Sequence, residues 1–305
     1  MATCKVCFRH CKLEEGQTGF CGGRICRDGQ VVAGNYGLVT ALALDPIEKK
    51  PLQRFHPGEM ILSVGSFGCN LRCPFCQNFG ISWSEEALEL SALFSDEADQ
   101  QNSQDLQRLA GRLYQLTPQR LAELALSCKS EGNAGIAFTY NEPLIGYEFM
   151  RDTARLIHEA GMVNVMVTNG TAEPEILDEL APLIDAMNID LKGFTDEYYS
   201  RVLGGNRRSV MDFIEKAVQT AHVELTCLII PGENDSPEEM RQMCRWIAGL
   251  RDADGNPIGQ DIPLHISRFF PQFHMTDRSA TDVGHIYHLA DIAREYLHYV
   301  YTGNC

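Results

Sequence analysis

The chain has 305 residues, long enough for one large α/β domain or two ordinary ones, and its 44% hydrophobic content can fill a sizeable core. Its 26 basic against 41 acidic residues leave a net charge of −15, which opposes electrostatic binding to nucleic acid or to an anionic membrane, so neither is expected as a partner. The longest nearly apolar run, Val223 to Pro231, is too short to cross a bilayer, and the first residues lack an apolar signal-peptide core, so a cytoplasmic location is expected.

In chain order, residues 1–58 read as a Cys- and Gly-rich metal-binding region, too irregular in hydrophobic period for a long helix. Cys4, Cys7, Cys11 and Cys21 have a spacing that suits either a structural tetrahedral zinc or a second iron–sulfur cluster, with Cys26 able to replace one of them. In a cytosolic chain such cysteines are better read as metal ligands than as a disulfide framework. The stretch Ile47 to Met60 carries a local basic cluster, Lys49, Lys50 and Arg54, and reads as a solvated connector.

From residue 59 to 305 short apolar runs alternate with helical patterns, the signature of repeated βα units around a parallel sheet. Six strands are predicted: from Met60, Gly135, Asn164, Ala186, Val223 and Pro263. Thr117-Pro118 and Ser236-Pro237 each offer an N-cap hydroxyl followed by proline, and Glu239 would complete a capping box in the second. Ser95 to Gln107 is acidic and Gln-rich and predicts an exposed excursion after the first strand. The periodicity around Leu144 to Ala160 predicts an ordinary amphipathic helix.

In parallel βα architectures functional groups collect at the carboxyl ends of strands. Those ends here carry Cys69, Cys73 and Cys76; Asn141 and Glu142; Asn169; Asp190 and Lys192; Asn234 and Asp235; and His265, Ser267 and Arg268. Three cysteines cannot pair off as disulfides and fall one short of a closed four-thiolate zinc site. Thiolates suit iron–sulfur clusters, zinc or copper(I), so a zinc site completed elsewhere or plain buried cysteines are the competing readings, while a cubane held by three of them keeps one iron open to a substrate.

The spacing Cys69-x3-Cys73-x2-Cys76 after the first strand resembles the signature of the radical S-adenosylmethionine enzymes. "CPFCQN" followed by Trp83, "TYNEP", "TNG", "DLKGFTDEYY" and "IIPGEND" occur in the order seen in pyruvate formate-lyase activating enzymes, over roughly Ile61 to Phe270. "DPIEKKPLQRFHPGE" and the N-terminal cysteines also resemble the radical enzyme of the AmmeMemoRadiSam system. The resemblance implies a partial (β/α)6 TIM-like barrel, a [4Fe–4S] cluster and S-adenosylmethionine as cofactors, and an electron donor such as flavodoxin or ferredoxin. Reductive cleavage would give methionine and a 5′-deoxyadenosyl radical that abstracts a hydrogen, from a glycyl residue of a partner protein or from a small molecule.

Carried over by motif, Asn141 and Glu142 would meet the methionyl ammonium, Asn169 the methionyl or ribose side, Asp190 and Lys192 the ribose and carboxylate, and Asn78 a further part of the cofactor. This sequence departs from the activases in lacking both glycines before Glu142, in placing Val167 before Thr-Asn-Gly, and in having Arg268 to Phe270 where they close the site with tyrosine and histidine. Taken alone, Asp190 and Lys192 read equally as a salt bridge on a barrel rim, and Glu142 as an acid at a helix start. His265 is expected as a satisfied core histidine, Cys128, Cys227 and Cys244 as small buried hydrophobes, and Arg207 and Arg208 as decoration of a helix start. The competing function is a zinc-stapled scaffold or interaction protein without catalysis.

Overall fold

The computed structural model describes residues 1–83 and 114–305. The predicted excursion at Ser95 to Gln107 lies outside them. All six predicted strands are present: β7 (Met60–Gly65), β9 (Asn133–Phe138), β10 (Val163–Thr168), β11 (Ala186–Asp190), β12 (His222–Ile229) and β13 (Leu264–Arg268). They pair side by side, all parallel, within an eight-stranded sheet. Two further strands extend it. A parallel β14 (Val300–Gly303) adds to β13, and an antiparallel β6 (Ala41–Pro46) adds to β7. The sheet thus takes in residues 41–46, which composition assigns to the N-terminal region.

Successive side chains on a strand face opposite ways, and the two faces have different fates. Leu62, Val64, Ile136, Phe138, Met166, Met187 and Ile189 join the large core shared with the helices. That core is supplied by amphipathic helices such as Tyr147–Glu159, which turns Phe149, Met150, Thr153, Ala154 and Ile157 inward. The other face carries Ser63, Ala137, Val165 and Ala186 in one register row, and Asp190, Thr226, His265 and Tyr301 in another. This inner face lines the hollow of the partial barrel.

The stretch expected to be a solvated connector is instead the floor of that hollow. Ile47 and Leu52 are fully buried against Ile61, Ala137, Val165 and Ala186, with Phe55 packed beside them. Lys49, Arg54 and residues 56–59 stay exposed, as expected of a connector, whereas the polar groups that do go inside each find a partner. Lys50 meets Asp45 at 3.0 Å, and Asp45 also accepts from the Tyr140 hydroxyl at 3.1 Å. The amides of Gln53 and Arg54 both donate to the Glu224 carboxylate. Glu224 is wholly buried and also meets His265 at 2.6 Å and His222 at 3.0 Å, so His265 is a satisfied core histidine, as expected.

The predicted caps form. Thr117 accepts from the Arg120 amide and Ser236 from the Glu239 amide. The capping box does not close, because the Glu239 carboxylate turns to the Phe194 amide at 2.6 Å, where it ties the loop after β11 to the helix Pro237–Ala248. Cys227 and Cys244 are buried as expected, whereas Cys128 is half-buried, sitting where the helix Pro118–Ser127 ends. Arg207 and Arg208 begin the helix Arg207–Ala217 and pair with Asp196 and Asp212.

The first forty residues fold as small hairpins, β1 (Ala2–Thr3) with β2 (Lys12–Leu13) and β3 (Arg24–Arg27) with β4 (Gln30–Ala33), and β5 (Leu38–Val39) pairs antiparallel with β8 (Tyr114–Gln115). The hairpins are fastened to the barrel by Arg24, which is 4% exposed and meets Glu148 at 2.7 Å. Among the described residues, no helix is long and apolar enough to cross a membrane.

Candidate active site

The loop from Gly65 to Asn78 leaves the carboxyl end of β7 and carries Cys69, Cys73 and Cys76, all free thiols and all half-buried. Its entry is fixed by the residue after β9. Asn141 accepts from the Ser66 amide at 3.0 Å and donates to the carbonyls of Phe67 and Gly68 at 3.1 and 3.2 Å. Its carboxamide is thereby spent on the loop's backbone. Tyr140, just before it, holds φ +72°, a left-handed conformation unusual for a bulky residue and one that persists only when its surroundings enforce it. Here its hydroxyl is anchored on Asp45.

Glu142 is 2% exposed and caps the turn Pro143–Gly146 through the Leu144 amide. It also accepts from the Thr168 hydroxyl at 2.7 Å and the Asn169 amide at 2.8 Å, which joins the ends of β9 and β10. Burial drives its pKa from 4.5 up to about 7, against the pull of those three donors.

Asn169, held in place this way, donates to Cys69 Sγ at 3.7 Å and to Asn70 Oδ1 at 2.9 Å. Asn70 in turn donates to the Thr171 hydroxyl at 2.7 Å. The structure therefore brings Cys69, Asn141, Glu142 and Asn169 into one hydrogen-bonded unit.

Asp190 and Lys192 follow on the neighbouring strand β11, with Lys192 Nζ 2.7 Å from Asp190 Oδ2. Burial alone would pull the lysine down, but Asp190 and the nearby Cys73 carry its pKa above its ordinary value. The backbone there is clamped twice. The Lys192 amide donates to the Tyr199 hydroxyl, and its carbonyl accepts from Asn234 at 2.6 Å. Asn78 is half-buried at the start of the short helix Phe79–Ser82, with no capping bond from its side chain, on the same loop as Cys76. Ser267 and Arg268 end β13, where Arg268 Nε donates to the Thr281 carbonyl.

Burial pushes the Cys73 thiol up to about 11, with Cys76 adding to the rise and Lys192 opposing it. Cys69 is pushed well up by burial and then by Glu142, and Cys76 is raised by burial. Three such thiols ionise at neutral pH only when a metal replaces their protons. Two further observations fit an iron–sulfur cluster. Cys69 Sγ already receives two N–H donors, from Leu71 at 3.5 Å and from Asn169, as cluster sulfurs commonly do. The Tyr198 hydroxyl is buried without any protein partner and lies within electrostatic reach of Cys73.

Four participants escaped the sequence reading. Tyr198 and Tyr199 lie in a quoted motif, but nothing in their spacing gave them a role. Asn70 links Cys69 to Asn169, and Arg72 stacks between Phe20 and Trp83, its guanidinium 3.8 and 3.6 Å from the two ring centroids. Such contacts depend on chain crossings that leave no local signal.

The N-terminal hairpins sit directly against this loop. The Cys69 amide donates to the Cys21 carbonyl at 3.1 Å, and Arg9 Nε donates to the Asn70 carbonyl at 2.7 Å. Cys4, Cys7 and Cys21 are buried and Cys11 half-buried. Burial raises Cys7, the Asn70 side chain bonds it, and Cys4 and Cys11 lie near enough to add their charge. Cys26 stands apart, its Sγ 3.9 Å from the Glu15 carboxylate. Among the described residues no three His, Cys, Asp or Glu side chains converge on a single metal ion.

Comparison with known proteins assigns the family. The family model described as the radical SAM superfamily matches residues 63–247. An uncharacterized protein of Methanocaldococcus jannaschii is 37% identical over 303 residues, covering 99% of this chain and 80% of that one. The pyruvate formate-lyase-activating enzyme of Clostridium pasteurianum is 26% identical over 203 residues, 65% of this chain and 72% of that one. A radical SAM methyltransferase of Sphaerobacter thermophilus shares the fold at TM-score 0.53 and 17% identity, over 81% of this chain and 67% of that one. With a matching family model over most of the barrel and a relative aligned along nearly all of this chain, the protein belongs to the radical SAM superfamily and is an enzyme of that type, for which the family implies a [4Fe–4S] cluster and S-adenosylmethionine.

Proposed function

We propose that Cys69, Cys73 and Cys76 hold the [4Fe–4S] cluster and that the enzyme abstracts a hydrogen atom from a substrate presented at the carboxyl ends of the strands. When bound, the cluster supplies one electron and an open iron at which S-adenosylmethionine is cleaved to methionine and a 5′-deoxyadenosyl radical. The single observation that carries this reading is the convergence of the cysteine loop with Glu142, Asn169 and the Asp190–Lys192 pair at one mouth.

The chain's own groups divide the remaining work. Asn141 sets the path of the loop, and Glu142 orients Asn169 through its amide. Asn169 donates to Cys69 Sγ and so positions the cluster ligand beside the site of the methionyl end of the cofactor. Lys192, held protonated by Asp190, offers a cation for the carboxylate, while Asp190 accepts from ribose hydroxyls. Asn78, following Cys76, reaches a further part of the cofactor.

The favoured substrate is a polypeptide segment, such as a glycyl residue of a partner protein, as for the activating enzymes this chain is similar to. Deep in the hollow, Glu224, His265, Thr226 and Asn188 are bonded to one another or to the floor, so they do not converge unpaired on a small molecule. The electron comes from a low-potential protein donor of the flavodoxin or ferredoxin kind, and the N-terminal cysteines form a separate thiolate site for zinc or iron.

The test is direct. Anaerobically purified protein should be brown and, with dithionite and S-adenosylmethionine, should release 5′-deoxyadenosine. Cys73→Ala should abolish that release while leaving the circular dichroism spectrum in place, because the loop rides on a preformed barrel. Colourless protein carrying only zinc, or release undiminished in the variant, would establish the scaffold reading instead.

A further inference from the structure

We propose that Cys4, Cys7, Cys11 and Cys21 bind a second iron–sulfur cluster, wired to the catalytic loop by the Cys21 carbonyl to Cys69 amide hydrogen bond, so that the N-terminal hairpins are the port through which electrons enter. The inference rests on the catalytic reading of Cys69. It adds a redox site, its metal and its place in the electron path.

The first support is placement. The 3.1 Å hydrogen bond joins the backbone of one cysteine to that of the other, and with ordinary bond lengths it keeps their Cα atoms within about 7 Å. Gly68, the residue before Cys69, holds φ +94°, and a Cβ there would meet the Cys21 carbonyl at 2.9 Å, so this approach needs glycine. Two more contacts bind the same surfaces, Arg9 to the Asn70 carbonyl and the Asn70 side chain to Cys7. A site of purely structural value could lie anywhere on the hairpins. This one touches the catalytic cysteine loop at three points.

The second support is the shape of the ligand set. Tetrahedral zinc holds sulfurs at about 2.3 Å from the metal, which draws them within about 4 Å of each other. The four N-terminal cysteines are gathered in one buried neighbourhood, yet, like Cys69, Cys73 and Cys76, they do not close on a single ion among the described residues. Sulfurs that lie within electrostatic reach of one another without closing on one ion are compatible with an inorganic core of several irons. Cys26 Sγ is engaged by the Glu15 carboxylate at 3.9 Å, and the other four thiolates suffice for a fully ligated, substrate-free cluster.

The step balances simply. A reduced protein donor of the flavodoxin or ferredoxin class loses one electron, the second cluster gains it and passes it on, and no proton or bond is exchanged. The catalytic loop then has no need to face the donor itself, since that end of the barrel is reserved for substrate.

The experiment uses the full-length chain loaded with iron and sulfide. Wild type should hold about eight irons and the Cys73→Ala variant about four, the latter giving a cubane electron paramagnetic resonance signal after reduction. The double variant Cys4→Ser/Cys11→Ser, which spares the Cys7 contact to Asn70, should also hold about four. With dithionite its release of 5′-deoxyadenosine should stay within about twofold of wild type, while with reduced flavodoxin it should fall at least about tenfold. Zinc in place of iron in Cys73→Ala overturns the site. An equal fall with both reductants, or no fall with either, overturns the electron port. Failure of wild type to cleave S-adenosylmethionine with dithionite would defeat the catalytic reading, whereas the iron content of Cys73→Ala is read without any turnover.

Discussion

At the scale of single residues, Glu142 does two things that sequence alone could not combine. Its motif placed it beside a helix start and near a cofactor, but its burial and its three donors follow from chain crossings. Its pKa rises from 4.5 to about 7, so between those values the folded chain keeps a proton that the unfolded chain has released. The contribution of this carboxyl to stability is therefore full below about 4.5 and is lost as the pH climbs through about 7. The total is at most about 3 kcal/mol. Denaturant unfolding of the metal-free protein at pH 5 and pH 8 should show that loss, and Glu142→Gln should remove most of it. The same substitution sets an amide donor against one of three N–H or O–H donors and should cost about 1–3 kcal/mol at pH 5. An unchanged pH slope in the variant would mean that another group titrates.

The cysteines were the easiest residues to read, because a fixed spacing after a strand is local information. Asn141 shows the limit of such reading. Its motif points to the cofactor, and its carboxamide in this structure is occupied by Ser66, Phe67 and Gly68. Local pattern names a residue's neighbourhood better than its bonds.

At the scale of elements, the strands were legible because each is a short apolar run bounded by turn residues. β6 and β14 were missed for opposite reasons. β6 is a half-buried edge built of alanine and leucine rather than β-branched residues, and β14 follows a helix end without a turn signal. The segment from Ile47 to Phe55 was misread because its charges look solvated in one dimension. Glu224 gathers that segment's amides and two histidines, and although burial opposes its charge, these partners bring its pKa from 4.5 down to about 2. A depressed carboxyl stabilises the fold above about 4.5 and loses that contribution as the pH falls through about 2. Glu224→Gln should cost about 2–3 kcal/mol near neutral pH, since one buried acceptor oxygen becomes a donor facing donors. Hydrogen exchange should quicken at Gln53 and Arg54 before it quickens in the central strands. Uniform quickening would argue that the floor and the sheet open together.

At the scale of the whole molecule, the βα alternation disclosed the barrel, but the docking of the N-terminal hairpins on it was invisible, because it rests on pairs far apart in sequence, from Arg9–Asn70 to Arg24–Glu148. Arg24 is the main fastening. It pairs with Glu148 and donates to the carbonyls of Ile145 and Val31. Arg24→Ala strands a carboxylate and two carbonyls and should cost about 3 kcal/mol, with added protease sensitivity concentrated in residues 1–33. Equal sensitivity along the barrel would show that the hairpins are not a separately opening unit.

The two outermost strands, Ala41–Pro46 and Val300–Gly303, pair only inward and never with each other. A closed ring has its radius fixed by strand number and stagger. An arc with two loose margins is under no such constraint, and can flatten or tighten its curve while every ladder bond survives. Accommodation of a broad guest would then cost bending alone, spread thinly over seven strand junctions.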